Sequence, residues 1–183
     1  MSDSISRRQF FRLDLRAIAS GVRAADRPAI RPPGALPTEA AFVEACDGCR
    51  KCSQACPYDV ILHLGPDAGA GEGTPYLDPE EAPCRGCASM DCVQACPTGA
   101  LRLQAGEAPA PIAVARLQMD ACLNSQGTLC DDCATACPAD VRAIRVPFGK
   151  MPELNPDACV GCGLCAWHCA AEPKALIIEP LTR

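Results

Sequence analysis

Large side chains are nearly missing from this 183-residue sequence, whose aromatic content is one Trp, two Tyr and four Phe. A chain of this length has room for one ordinary domain or two small ones, and either needs more apolar bulk than this, so something else must fill the interior. Long hydrophobic runs are missing as well. None approaches the roughly 20 residues that cross a bilayer, so no transmembrane helix is expected. Histidine occurs only at positions 63 and 168, and no acid–base group stands out. Positive charge is scarce outside the start of the chain. Residues 1–31 carry seven Arg (7, 8, 12, 16, 23, 27, 31) against three Asp (3, 14, 26), a local +4, which leaves −9 of the formal −5 on the remainder. An acidic body argues against nucleic acid as its partner.

What the sequence does have is 16 Cys, 18 Pro and 14 Gly. A cysteine share near a tenth marks a chain held together by disulfides or metal. The cysteines form four sets: Cys46, Cys49, Cys52, Cys56; Cys84, Cys87, Cys92, Cys96; Cys122, Cys130, Cys133, Cys137; and Cys159, Cys162, Cys165, Cys169. Their first members lie 38, 38 and 37 residues apart, so the body at 32–183 is a fourfold repeat with units starting near 40, 78, 116 and 153. Each set ends in C-x-x-x-C, and Pro57, Pro97 and Pro138 follow three of them. A short extended segment is expected before each set, clearest in PIAVARL (111–117). Brief apolar runs in DVILHL, GALRL, RAIRV and KALIIEP predict strands after the sets. About one helical turn is expected around the last two cysteines of each set. The stretches 65–75 and 104–111 read as loops, and the glycines of the first lack the strand–turn–helix setting of a nucleotide site.

Three chemistries compete for the thiols. Disulfides suit cysteine-rich chains, but closely spaced cysteines on a tight loop aim their sulfurs at a common centre. Structural zinc takes C-x-x-C pairs from well-separated segments, whereas here four thiols fall within 11 to 16 residues. The pattern C-x2-C-x2-C-x3-C-P is that of [4Fe–4S] ferredoxins, in which the fourth cysteine serves the other cluster of a pair. The first set fits it, and the fourth differs only in having Ala170 for the proline. The second and third sets lengthen one gap, the third by most, so four clusters are expected with three as the fallback. Adjacent pairing of the sets and nested pairing both satisfy the lengths. The two widened loops favour nesting, in which Cys56 joins Cys159, Cys162 and Cys165, Cys169 joins Cys46, Cys49 and Cys52, Cys96 joins Cys122, Cys130 and Cys133, and Cys137 joins Cys84, Cys87 and Cys92.

Four cysteines per set leave no iron open to a substrate, which points to an electron carrier rather than an enzyme. His168 and Trp167, inside the fourth set, are expected to shield a cluster. Four oxidised clusters at about −2 each would bring the net charge to about −13, which steers the body toward basic patches on redox partners.

From about residue 29 onward the chain resembles the NapG/NapF/MauM group of ferredoxin-type proteins. The likeness rests on IRPPGAL (30–36), CSQACPYD (52–59), GTPYL (73–77), CVQACPTGAL (92–101), CLNSQGTLCDDC (122–133) and DACVGCGLC (157–165), with the third set's C-L-N opening the most diagnostic. The resemblance implies an accessory electron carrier of the periplasmic nitrate reductase or methylamine dehydrogenase systems. The sequence SRRQFFR (6–12) is similar to a twin-arginine export motif, yet Asp14, Arg16, Arg23, Asp26 and Arg27 interrupt the apolar stretch that should follow. That places the expectation in the cytoplasm, with periplasmic export as the alternative. It also keeps open a second role, assembly of an exported oxidoreductase catalytic subunit. Phe11, Leu15, Ile18 and Val22 share a helical stripe that suits docking on a partner or a membrane surface. The fold class expected is α+β: ferredoxin-like, loop-rich, with two [4Fe–4S] dicluster modules.

Overall fold

The computed structural model describes residues 28–79 and 81–181. The twin-arginine-like motif and the stripe of Phe11, Leu15, Ile18 and Val22 lie outside the described residues.

Its secondary structure is mixed and brief. In chain order the elements are α1 (Glu39–Ala45), α2 (Lys51–Gln54), β1 (Ile61–His63), β2 (Pro75–Leu77), α3 (Asp91–Gln94), β3 (Ala113–Leu117), α4 (Asp132–Ala136), β4 (Ile144–Arg145), β5 (Glu153–Leu154), α5 (Leu164–Trp167) and β6 (Leu176–Pro180). Short 3-10 turns at Pro66–Gly71, Met119–Ala121 and Leu123–Gln126 complete the chain. A one-turn helix is found where a turn was expected around the last two cysteines of each set, but α2, α3, α4 and α5 carry only the third cysteine and end before the fourth. A helix this short is unstable alone, so its packing must hold it. The backbone ahead of α2, α3 and α5 swings into the left-handed region at Arg50, Met90 and Gly163, turning the cysteine loop onto the helix.

The same topology occurs twice. In residues 112–181 the strand before the third set, β3, pairs antiparallel with β6 after the fourth, from Ala113↔Pro180 to Leu117↔Leu176. The hairpin β4–β5 lies between them in sequence, with Ile144 opposite Leu154. In residues 28–103 the hairpin β1–β2 pairs Ile61 with Leu77 and His63 with Pro75. The outer pairing there is reduced to an isolated bridge, Ala35↔Leu101, with Leu36 N–H donating to Ala100 O at 3.1 Å and Arg102 N–H to Gly34 O at 2.7 Å. GALRL therefore forms no strand of its own. In each half the two one-turn helices pack on one another, α2 on α3 and α4 on α5.

Two local expectations change. The segment before the first set is helical from Glu39 to Ala45, because Thr38 caps it by accepting from Ala41 N–H at 3.2 Å and Phe42 is fully buried beneath it. The 65–75 stretch turns tightly through Pro66–Gly71 between the strands of a hairpin. Ile30 and Arg31, at the edge of the basic arm, are built into the body. Ile30 bridges Leu77. The buried Arg31 donates to Thr74 Oγ1 at 2.9 Å and Pro75 O at 2.7 Å, pairs with Glu39, and stacks over the Phe42 ring at 4.7 Å. That guanidinium ties α1 to β2, and its pairing offsets the cost of burying a charge.

Phe42 and Pro32 are the largest side chains buried completely. The main core cluster is otherwise Val, Ile, Leu and Ala from both halves, with the sulfurs of Cys52, Cys133 and Cys165 inside it, and Cys122, Ala171 and Ala175 form a second, smaller cluster. Among the described residues no helix is long and apolar enough to cross a membrane.

Candidate metal centres

Sixteen cysteines predicted as ligands gather in four pockets of four. The first pocket is lined by Cys46, Cys49 and Cys52 with Cys96. The second has Cys84, Cys87 and Cys92 with Cys56. The third has Cys122, Cys130 and Cys133 with Cys169, and the fourth Cys159, Cys162 and Cys165 with Cys137. Every pocket thus takes three thiols from one set and its fourth from the neighbouring set. The nested arrangement is overturned: neighbours in sequence exchange their last cysteine. The reason is the packing of α2 on α3 and of α4 on α5, which places the cysteine one or two residues beyond each helix in the pocket of the helix it packs on.

The widened loops, which suggested nesting, are closed locally. In the third set Asn124 spans the gap. Its Oδ1 accepts from Cys130 N–H at 2.8 Å, while its Nδ2 donates to Cys130 O at 2.8 Å and Lys150 O at 3.1 Å. Ser125 Oγ donates to Cys122 O at 2.7 Å. In the second set the extra residues make a turn in which Met90 N–H donates to Cys87 O at 3.1 Å, and Ser89 Oγ donates to Asp91 Oδ2 at 2.7 Å. Both insertions consume their own polar groups and leave the thiols free to face inward.

The helix-borne cysteine of each set is strongly raised. Desolvation, followed by neighbouring thiolates, pushes Cys52 and Cys133 up to about 11 and Cys92 and Cys165 up to about 12. Left to themselves these thiols stay protonated at neutral pH; a cationic centre that takes them as thiolates supplies the missing compensation. Cys96 goes the other way. Burial works to raise it, but the amide of Leu101, the hydroxyl and amide of Thr98 and the amide of Gly99 together hold it below the ordinary thiol value. Leu101 N–H reaches Cys96 Sγ at 3.3 Å, and Ala175 N–H reaches Cys169 Sγ at 3.4 Å. These amides point at sulfur in equivalent places in the two halves.

One residue of the first pocket was missed in the sequence. His63 lines that pocket, and its Nε2 is buried with no hydrogen-bond partner. Burial, then the charge of Arg50, holds its imidazole below the usual histidine range. The signal was available in the alternation of DVILHL, which turns residue 63 to the same side of β1 as the buried Ile61. His168, expected to shield a cluster, is exposed, as is Trp167, and neither lines any of the four pockets.

All sixteen cysteines are unbridged. Among the described residues no three Cys, His or carboxylate side chains converge as they do on a single metal ion. The thiols instead surround cavities of about 310 to 390 Å³, counting the space open to solvent at their mouths. A group much larger than an ion, held by four thiolates and in the first pocket offering a partner to His63 Nε2, fits that donor set.

Comparison with known proteins identifies the group. The 4Fe–4S dicluster domain matches residues 45–100 and again 83–141, and the 4Fe–4S binding domain matches 152–169. Ferredoxin-type protein NapG of Escherichia coli (strain K12) is 38% identical over 179 residues, covering 91% of this chain and 74% of that one. The chain belongs to the NapG and MauM family of ferredoxin-type proteins. The methylamine utilization ferredoxin-type protein MauM of Methylorubrum extorquens is 37% identical over 177 residues, covering 92% of this chain and 80% of the relative. Ferredoxin-type protein NapF of Escherichia coli is more distant, 31% identical over 145 residues. No solved structure matches the chain. Like other ferredoxin-type proteins it is an iron–sulfur electron-transfer protein carrying multiple [4Fe–4S] clusters. The dicluster match at 45–100 spans the two sets that share the first and second pockets. The match at 83–141 instead joins sets that the fold sends to different pockets.

Proposed function

We propose that this NapG/MauM-family chain is a carrier of four [4Fe–4S] clusters, built as two dicluster modules and without a substrate site of its own. The observation that carries this is the exchange of the fourth cysteine within each neighbouring pair of sets. Cys46, Cys49, Cys52 and Cys96 would hold one cluster, and Cys84, Cys87, Cys92 and Cys56 the second. Cys122, Cys130, Cys133 and Cys169 would hold another, and Cys159, Cys162, Cys165 and Cys137 the last. Each cluster, when bound, takes up or gives up one electron at a time. The protein's share is to hold it, keep water from it and stabilise its charge. Four thiolates per site leave no coordination position for a substrate. The amides of Leu101 and Ala175 favour the more negative state by donating toward sulfur.

The partners are redox proteins. The relatives' names connect MauM to methylamine utilization, which supports a place for this chain beside an oxidoreductase of that kind or of the NapG system. The described body is acidic, and four clusters at about −2 each deepen that charge, so association should be steered by basic surfaces and slowed by salt.

Anaerobic purification tests the reading. It expects a brown protein with sixteen iron and sixteen sulfide per chain (four of each in four pockets), bleached by dithionite. A colourless preparation containing zinc, or no metal, overturns it.

A further inference from the structure

The two halves of the chain meet at a hydrogen bond between two cysteines. Cys84 N–H donates to Cys162 O at 2.9 Å. Cys84 lines the second pocket and Cys162 the fourth. Within the halves the helix pairs set the other neighbours, α2 and α3 bringing the first pocket beside the second, α4 and α5 the third beside the fourth.

A glycine marks the junction. The residue two places before the third cysteine is left-handed in three sets, and there it is Arg50, Met90 and Gly163. Arg50 and Met90 show that this conformation tolerates a side chain. At Gly163 a Cβ would lie 2.4 Å from Cβ of Pro79, a buried residue of the other half. Close approach of the halves, more than the backbone angle, demands glycine at this position.

We propose that the four pockets form one relay in the spatial order first, second, fourth, third, with the Cys84–Cys162 contact as its crossing between the halves. This order differs from the order in sequence. It rests on the reading that each pocket holds a [4Fe–4S] cluster. An electron crossing here oxidises one site by one and reduces its neighbour by one, with no bond made and no proton moved. The path runs from Cys84 Sγ through Cβ, Cα and N–H, across one hydrogen bond, and through the carbonyl, Cα and Cβ of Cys162 to its Sγ. The first and third pockets are the termini. One redox partner therefore meets the end lined by Cys49, Asp47 and Arg50, and the other meets the end lined by Cys130, Leu123 and Asp132.

The experiment is electron paramagnetic resonance of the full chain, fully reduced, with iron and sulfide counted on each sample. In the unsubstituted protein all four spins should be coupled into one system; two independent coupled pairs overturn the proposal. Cys159→Ala, which removes a ligand of the fourth pocket, should leave the third pocket's signal sharp and uncoupled while the first and second stay coupled. Cys122→Ala should leave first, second and fourth coupled. The reverse pattern, with the third signal still coupled after loss of the fourth and the fourth isolated after loss of the third, restores the sequence order and refutes the proposal. Gly163→Met should lose the coupling between halves with iron content unchanged. If it folds with the coupling intact, the junction is misplaced; if it fails to fold, the unsubstituted protein still decides. Absence of iron and sulfide would sink the cluster reading itself, an outcome distinct from all of these.

Discussion

At the scale of single residues, two polar side chains do work that composition hides. Asn124 makes three hydrogen bonds across the long gap of the third set, two of them with Cys130. Asn124→Ala leaves backbone groups of Cys130 unpaired and should cost about 1–3 kcal/mol locally. The expected result is loss of one quarter of the iron on gentle warming, measured per chain, with the other sites retained. His63 presents a buried Nε2 without a protein partner at the first pocket. A donor there stabilises the more negative, reduced state. His63→Leu should lower one midpoint potential of four by on the order of 20–65 mV, taking about 0.5–1.5 kcal/mol for a hydrogen bond and 59 mV per tenfold change in a one-electron couple. A redox titration followed by electron paramagnetic resonance reads this directly, and four unmoved potentials would show the ring idle.

Between elements, the packed helices decide which cysteine belongs where. Cys96 stands four residues after Cys92 yet serves a pocket whose other thiols lie at 46–52. Cys96→Ala should therefore empty the first pocket and spare the second, where Cys56 remains. Removing Cys56 should do the converse. Tryptic protection of 46–52 against 84–92 in each variant distinguishes the two. Loss of protection at 84–92 in the Cys96 variant would mean that each set serves only itself.

For the molecule as a whole, the lean core predicts that the fold depends on metal. Its largest fully buried side chains are one phenylalanine and one proline, and sulfurs line its interior. Removing iron with a chelator under anaerobic conditions should abolish compactness and secondary structure together, since ligation and folding are coupled. Circular dichroism and the hydrodynamic radius measure it. An apo form as small as the loaded one would show that apolar packing suffices.

Cysteine spacing grouped the sixteen thiols into their sets and placed the one-turn helices, because three thiols on a tight loop are a matter of a few residues' reach, and the brief apolar runs marked most of the strands. The resemblance to ferredoxin-type proteins followed from the same short stretches. Pairing did not follow, since the widened loops at Cys87–Cys92 and Cys122–Cys130 are absorbed by local turns, and their length bears no relation to which helix packs on which. The helix at Glu39–Ala45 was legible in Thr38 and its apolar spacing but was hidden by the expectation of a repeat. His63 and His168 exchanged places for a similar reason: closeness to a cysteine in sequence counts for less than the face of a strand. The order of the pockets was the last thing to be decided, and only the folded chain decides it. It depends on where two distant backbones come within one hydrogen bond, at Cys84 and Cys162, and a contact of that kind is set by the packing of whole halves.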